Sequence, residues 1–234
     1  MGAALARLLA SEGSSLALVA RRKTLLAELC REINHAAGEK RALPYVHDVR
    51  KYATVPALLR RIVAELGGVD TVIYTAGVNF PPGLHEYDFG GDRDMLEVNL
   101  LGAFVWLDPV GAMFEAARYG QIVGLSSVAG DRGRVGNPGY NASKAGLTSY
   151  LESLRNRLTR YGVNVLTVKA GFVRTDMLAA AQKVMFPITA EQAAREIYRA
   201  MRRRKQQIYT PWFWWWIMLV VRNIPSIVFR RLSF

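Results

Sequence analysis

The segment GLSSVAGDRGRVGNPGYNASKAGL, residues 124–147, joins an apolar run to a polar, glycine-rich connection and then to helix-forming residues. Within it, Tyr140 and Lys144 are four residues apart, so on a helix their side chains lie on one face. A phenol has an unperturbed pKa of about 10, and a nearby ammonium lowers that pKa by favouring the phenolate. Such a tyrosine can pass a proton to or from an alcohol or carbonyl oxygen. The same spacing occurs by chance on exposed helix faces, so its interpretation depends on the rest of the chain.

The composition indicates one folded domain. With 234 residues, 51% of them hydrophobic, the chain is long and apolar enough to bury a sizeable core. The single cysteine, Cys30, excludes an internal disulfide, fits a reducing compartment and is expected to be a buried small hydrophobe. The histidines lie far apart and no Cys/His cluster has metal-ligand spacing, so we expect no metal site and no histidine-based triad.

The net charge of +12 is high. It is compatible with a solvated basic surface, an anionic cofactor, an anionic membrane surface or nucleic acid. Residues 202–205 form one basic run, and Arg230-Arg231 form another near the C-terminus. No nucleic-acid-binding signature accompanies these runs, so we expect no nucleic-acid partner.

Segments of helical and strand periodicity alternate along the chain, which indicates an α/β fold with a parallel sheet. Apolar runs predict strands at 16–20, 42–46, 69–74, 121–125, 163–168 and 207–209. Helical spacing predicts helices at 2–11, 24–37, 55–66, 94–118, 142–160 and 190–204. Prolines and glycines at 80–92 predict a loop.

Further motifs lie around the Tyr140–Lys144 pair in a regular order. Ser127 precedes Tyr140 by thirteen residues. The others are Asp48-Val49, Thr75-Ala76-Gly77, Asn99 within Glu97-Val98-Asn99-Leu100-Leu101-Gly102, and Gly171-Phe172-Val173-Arg174-Thr175. Together these motifs resemble the short-chain dehydrogenase/reductase family, over roughly residues 2–177. The chain departs mildly from the family pattern at Ala170, where the family usually has a proline.

The resemblance implies a role for each motif. Tyr140 would be the general acid when a ketone is reduced, and Lys144 would lower its pKa and hold the nicotinamide ribose. Ser127 would hydrogen-bond the substrate oxygen, and Asn99 would hold a water that links Lys144 to solvent. The implied cofactor-binding set is Gly2, Arg21, Arg22, Asp48, Val49, Ala76, Gly77, Tyr140, Lys144, Gly171, Val173 and Thr175.

Plainer roles remain open for several of these residues. Ser126 could be the active hydroxyl, although the spacing favours Ser127. Asn99 could bridge backbone groups, Asp48 could be a turn residue, and Thr175 could cap the helix that starts near Asp176.

The end of the second family strand indicates which cofactor is used. An acidic residue there accepts a hydrogen bond from the ribose 2′-hydroxyl of NAD(H), whereas an arginine suits a 2′-phosphate. This chain has Ala20-Arg21-Arg22 and no acid. We therefore predict NADP(H) over NAD(H), with Arg21 carrying more of the contact than Arg22, since a guanidinium pairs bidentately with phosphate. The alternative is that one arginine merely faces solvent at the start of the next helix.

The chain starts inside a helix, without the strand that opens the family's sheet. That strand leads into a glycine-rich turn that places the pyrophosphate at the N-terminus of the first helix. Only Gly2 remains of the turn, and Met1 stands where the family commonly has isoleucine. We expect a Rossmann-like, doubly wound parallel sheet with the first strand and most of the glycine-rich turn absent. Our interpretation is that the sequence begins at an internal methionine or is a fragment; the alternative is a protein that has lost cofactor affinity.

The C-terminal segment is rich in tryptophan. Residues 212–221 are ten uninterrupted apolar residues, too few to span a bilayer, and Pro225 breaks any longer helix. Tryptophans with flanking arginines are typical of the membrane interface. We expect residues 211–234 to be a tail that attaches to a membrane surface, and residues 1–210 to be the catalytic domain. A lid packed on the core and a dimer interface are the alternatives.

These features together predict an NADP(H)-dependent oxidoreductase. It would interconvert a ketone and a secondary alcohol on a small or lipid-like hydrophobic substrate, in the cytoplasm and on the cytoplasmic face of a membrane. Association into a homo-oligomer is left open. The alternative from another class is a non-catalytic, membrane-associated scaffold that keeps the catalytic residues but cannot hold cofactor.

Overall fold

Strands and helices alternate along the chain, as the apolar periodicity predicts. The computed structural model describes residues 1–180 and 184–232. The strands are β1 (Leu16–Ala20), β2 (Ala42–Val46), β3 (Thr71–Tyr74), β4 (Gln121–Ser127), β5 (Asn164–Ala170) and β6 (Gln207–Thr210). The helices are α1 (Gly2–Ser11), α2 (Lys23–Ala37), α3 (Val55–Leu66), α4 (Phe89–Leu96), α5 (Gly102–Ala117), α6 (Pro138–Leu158), α7 (Ala190–Arg202), α8 (Trp214–Asn223) and α9 (Ser226–Phe229).

Two helix predictions were wrong in their bounds. The predicted helix 94–118 is α4 and α5, joined by a π-helical turn over Glu97–Leu101, and α4 begins within the predicted loop. The helix predicted from residue 142 begins at Pro138, because Pro138 takes the first helical position and the Asn137 side chain caps the Tyr140 amide. Tyr140 therefore lies in the first turn of α6, one turn before Lys144.

The strands form two parallel sheets. One contains β1 and β2, and the other has the order β3-β4-β5-β6. Within the described residues, no strand pairing joins the two sheets. Helices cover both faces, so the predicted α/β, doubly wound architecture is confirmed.

The core has two main layers, one on each face of the sheets. On one face, α3, α5 and α6 pack against β4 and β5, with Phe114 and Leu151 almost fully buried. On the other face, α1 and α7 pack on β4 and β5 through Leu5, Val123 and Ile197. Truncating a side chain such as Phe114 to alanine costs about 3–5 kcal/mol, so these layers fix the strand ends that carry the motifs.

The C-terminal segment packs on the domain. Trp214 and Met218 on the inner face of α8 are buried in a cluster with Val128 and Tyr209. The Arg132 guanidinium donates to the carbonyl oxygens of Val221, Arg222 and Ile224, at 2.7, 3.2 and 2.6 Å. These are the unpaired carbonyls of a helix C-terminus, so one guanidinium caps α8. The segment is therefore a helix attached to the core, as in the lid alternative. Residues 233–234 of the predicted tail lie outside the described residues.

One helical run of the described chain, Phe89–Ala117, is long and apolar enough to cross a membrane. Its second half is α5, where Trp106, Leu107, Val110 and Phe114 are buried in the core. The core packing of α5 accounts for this hydropathy.

Candidate active site

The candidate site lies at the carboxyl ends of the parallel strands. Residues 75–77 follow β3, Ser127 ends β4, Gly171 follows β5 and Thr210 ends β6. In the hydrogen-bonded register, Ser127 is the partner of Ala170, and Ala170 is the partner of Thr210. Open α/β sheets bind ligands at this edge, because the loops after the strands leave a crevice there.

Tyr140 and Ser127 come together at this edge. Burial raises the pKa of the Tyr140 phenol, while the Ser127 hydroxyl and the positive charge of Arg134 act in the opposite direction. The Ser127 Oγ donates to the Ala170 carbonyl at 3.2 Å and accepts from the Ala129 amide at 3.1 Å. These two bonds fix the hydroxyl next to the phenol. Because its single proton goes to the Ala170 carbonyl, the hydroxyl would have to turn from that carbonyl to donate, with the phenol, to a substrate oxygen.

Lys144 is buried on the same face of α6. Its Nζ donates to the Leu125 carbonyl at 2.9 Å and lies 5.8 Å from the centroid of the Tyr140 ring. Burial lowers the pKa of Lys144 from 10.5 to about 8, because a low-dielectric environment penalises the ammonium. Lys144 is close to the phenol, but its hydrogen bond goes to the strand.

Ser126 and Ser127 are in different environments. The Ser126 hydroxyl donates to the Lys144 carbonyl at 3.0 Å and lies 2.7 Å from the Thr148 Oγ1. It therefore joins β4 to the interior of α6, whereas Ser127 faces the phenol. The geometry favours Ser127 as the substrate-binding hydroxyl, and that role stays a prediction.

Asn99 is fully buried in the π-helical turn. Its Oδ1 accepts from the Val78 amide at 2.8 Å, and its Nδ2 donates to the Val78 carbonyl and the Ser143 hydroxyl, each at 3.0 Å. The side chain thus bridges backbone groups, the plainer role left open above. Its proposed role in holding a water stays a prediction.

The residues after β3 form a surface that a cofactor could approach closely. A Cβ on Gly77 would lie 3.4 Å from the Asn99 Oδ1 and 3.5 Å from the Lys144 Nζ. Gly2 opens α1 beside this segment, since a Cβ there would lie 3.0 Å from the Thr75 Oγ1. Ala76 is half-buried against the main core. The free amides of a helix N-terminus favour an anion, so these residues fit a dinucleotide phosphate.

The ends of β1 and β2 place two arginines, Arg50 and Arg21, near the carboxylate of Asp48. The Arg50 side chain is bonded to Asp48, with Nη2 at 2.9 Å from Oδ2, and lowers the pKa of Asp48 to about 2. The exposed Arg21 lies farther away, with Nη1 at 4.0 Å from the same oxygen. Arg22 is exposed at the residue before α2. Val49 is half-buried in the core. Asp48 is thus more than a turn residue, and Arg21 keeps an exposed guanidinium that fits a phosphate.

Helix α8 packs against one side of the segment that follows β5. A Cβ on Gly171 would collide with the Trp214 indole, so only glycine allows this approach. The Gly171 amide donates to the Thr210 carbonyl at 2.9 Å. Val173 is buried and bridges to Ile188, and the Thr175 hydroxyl donates to the Val173 carbonyl at 3.3 Å.

Three residues near the site belong to none of the motifs found in the sequence. Arg50 holds Asp48, Arg134 acts on the phenol of Tyr140, and Trp214 packs on Gly171. Their partners are set by loop geometry, so spacing along the chain gives no signal for Arg134 or Trp214. Arg50 has a sequence signal, because it lies two residues after Asp48 and bonds to that carboxylate.

Comparison with known proteins gives the class of this chain. The family model "short chain dehydrogenase" matches residues 1–185. An acetoacetyl-CoA reductase of Synechocystis is 33% identical over 196 residues, covering 82% of this chain and 75% of the relative. The chain therefore belongs to the short-chain dehydrogenase family, and it is an oxidoreductase of that family.

Solved structures agree with the fold. A short-chain dehydrogenase from Sphingobium yanoikuyae in complex with NADPH has a TM-score of 0.82 and 22% identity, covering 96% of this chain and 92% of the other. An NAD⁺-bound xylitol dehydrogenase has a TM-score of 0.70 and 27% identity, covering 76% of this chain and 68% of the other.

Proposed function

We propose that this protein is an NADP(H)-dependent oxidoreductase that interconverts a ketone and a secondary alcohol. The observation that carries the proposal is the gathering of Ser127, Tyr140 and Lys144 at the carboxyl end of β4. In the reduction direction, the carbonyl oxygen accepts hydrogen bonds from Ser127 and Tyr140, and Tyr140 then donates its proton. Because burial raises the pKa of Tyr140, the phenol carries that proton at neutral pH.

The phenolate left on Tyr140 is stabilised by three groups. These are the Ser127 hydroxyl, the positive charge of Arg134 and the ammonium of Lys144, 5.8 Å from the ring centroid. Gly2, Ala76, Gly77, Val173 and Thr175 would hold the cofactor, together with Lys144 at the ribose. When bound, the nicotinamide supplies or accepts the hydride, while the protein orients the reactants and handles the proton.

The preference for NADP(H) rests on Arg21. Its guanidinium is exposed at the end of β1, no acid stands beside it in sequence, and the nearby Asp48 is held by Arg50. One solved neighbour binds NADPH and another binds NAD⁺, so both nicotinamide cofactors occur among similar proteins.

The substrate is proposed to be hydrophobic. Phe172, a partly buried aromatic next to Gly171, offers an apolar wall there and is backed by the buried Trp214, with the two rings in edge contact at 5.6 Å. The acetoacetyl-CoA reductase relative acts, by its name, on a ketone carried by a thioester. A ketone on an acyl-like chain would fit this wall.

We also propose that the protein binds the cytoplasmic surface of an anionic membrane through Trp212, which precedes α8, and the outer face of α8, namely Trp215, Trp216, Leu219 and Val220. These side chains remain exposed although the inner face is buried. Arg222, Arg230 and Arg231 lie exposed at the end of this surface. Interfacial tryptophans beside arginines favour anionic headgroups.

The competing function is a non-catalytic scaffold. It is favoured by the separation of the described strands into two sheets, β1-β2 and β3-β4-β5-β6, with no strand pairing between them. Titration of the protein with NADPH, followed by NADPH oxidation in the presence of aliphatic ketones, separates the two. Tight binding and turnover support the enzyme; binding weaker than about millimolar would favour the scaffold.

A further inference from the structure

Arg134 is a half-buried cation without a charged partner. Among the described residues, no ion pair brings a carboxylate within 4.0 Å of Arg134. The cations that do form ion pairs are Arg7, Arg21, Arg41, Arg50, Arg61, Arg93 and Lys169. Burial lowers the pKa of Arg134, which is the sign of an uncompensated charge. Such burial costs free energy unless an anion is supplied from outside.

The position of Arg134 is fixed relative to the catalytic tyrosine. Its carbonyl accepts from the Asn141 Nδ2 at 3.1 Å, which ties this loop to the first turn of α6. The adjacent residue of that turn is Tyr140, and the charge of Arg134 acts on its phenol. The guanidinium therefore lies at the border of the candidate active site.

A groove of about 390 Å³ opens at the same place. It is lined by Gly133, Arg134, Pro138, Asn141, Ala142 and Ala145. Asn141 is 4% exposed, and its Oδ1 is buried without a hydrogen-bond partner in the described chain. The groove thus combines an unpaired guanidinium with an unpaired, almost fully buried acceptor, and buried polar groups of this kind normally have partners.

We propose that this groove binds an anionic group of the substrate, a carboxylate or a phosphate, through the Arg134 guanidinium. This inference rests on the proposed ketone reduction at Tyr140 and narrows its substrate to ketones that carry an anion. A guanidinium binds either group through two parallel hydrogen bonds. Asn141 would accept from a hydroxyl or amide beside the anion.

The test compares charged ketones with their neutral esters. The pairs are 4-oxopentanoate with its methyl ester, and 2-oxopropylphosphonate with its dimethyl ester, assayed by NADPH oxidation. We expect kcat/KM to favour the anion by at least about tenfold in the wild type, and Arg134→Gln to reduce that ratio by about tenfold or more. The pair with the larger ratio identifies the anion. Arg160→Gln, at the opposite end of α6, is the matched control and should keep the wild-type ratio.

A ratio that is the same in Arg134→Gln and the wild type would overturn the proposal. Calorimetric titration with the two anionic ketones gives a second readout that needs no turnover. We expect Arg134→Gln, checked for native circular dichroism, to bind them about tenfold more weakly, and equal affinities would also overturn the proposal. If the wild type binds the anions through Arg134 but reduces none of the four ketones, the result contradicts the proposed ketone reduction and supports the anion-binding site.

Discussion

The Nζ of Lys144 lies 5.8 Å from the ring centroid of Tyr140, but its hydrogen bond goes to the Leu125 carbonyl at 2.9 Å. The two side chains share one face of α6, and burial affects both. It raises the pKa of the phenol and lowers that of the ammonium, so both neutral forms are favoured. The groups that oppose the effect of burial on the phenol are the Ser127 hydroxyl and the charge of Arg134, whereas Lys144 makes no direct hydrogen bond to the phenol in this structure.

Tyr140→Phe should reduce kcat by at least about 100-fold, because proton donation by a positioned acid contributes about that much or more. The affinity for NADPH should change little, since the ring is retained. Steady-state kinetics and NADPH titration measure the two effects. A variant that turns over at the wild-type rate would show that another group is the acid.

Arg21→Asp should shift the cofactor preference from NADPH toward NADH. The exposed guanidinium is replaced by an acid that repels a 2′-phosphate and can accept from a 2′-hydroxyl. The measurement is the ratio of kcat/KM for the two cofactors, with a decrease of tenfold or more, about 1.4 kcal/mol, expected. Arg22→Asp is the neighbouring control and should change the ratio less. If both substitutions change the ratio equally, Arg21 does not carry more of the 2′-phosphate contact than Arg22.

The stability of the protein should rise with pH between about 8 and 10.5 through Lys144. The pKa of the buried lysine is lowered from 10.5 to about 8, so the unfolded chain binds more protons across this window. Relative to Lys144→Met, the wild type should gain up to about 3 kcal/mol in unfolding free energy over the whole window. Urea unfolding of both proteins at pH 7.5 and 9.5 measures the difference. Parallel changes in the two proteins would show that Lys144 is solvated.

The double substitution Trp216→Glu and Val220→Glu should release the protein from anionic vesicles. These side chains are 58% and 66% exposed, one helical turn apart on the outer face of α8. The measurement is co-sedimentation with vesicles containing phosphatidylserine, at low and high salt. Tyr119→Glu, an exposed aromatic site after α5, is the control. If the double variant sediments as the wild type does, α8 is not the membrane contact.

Arg132→Gln should loosen α8 without unfolding the domain. The substitution removes the guanidinium that caps the carbonyls of Val221, Arg222 and Ile224. Losing a helix cap costs about 0.5–2 kcal/mol, so amide exchange within α8 should accelerate by about 2- to 30-fold. Hydrogen-exchange mass spectrometry reports α8 and the core separately. Unchanged exchange in α8 would contradict the capping role.

Local sequence patterns were sufficient to predict the alternation of strands and helices, the parallel sheet and the shared helix face of Tyr140 and Lys144. These features follow from local rules, because apolar periodicity and a four-residue spacing are set by the backbone geometry of each element. The boundaries of α4 and α6 were less accurate, because a π-helical turn and an Asn137 cap depend on contacts that periodicity does not show.

The contacts of the C-terminal segment and of the loops with the site depend on the tertiary structure. Arg132 bonds to carbonyls about 90 residues away, and Trp214 packs on Gly171 from another element. Such contacts depend on how separate elements dock, and no sequence spacing encodes them. The same is true of Arg134, whose charge matters only because the loop folds back onto the first turn of α6 beside Tyr140.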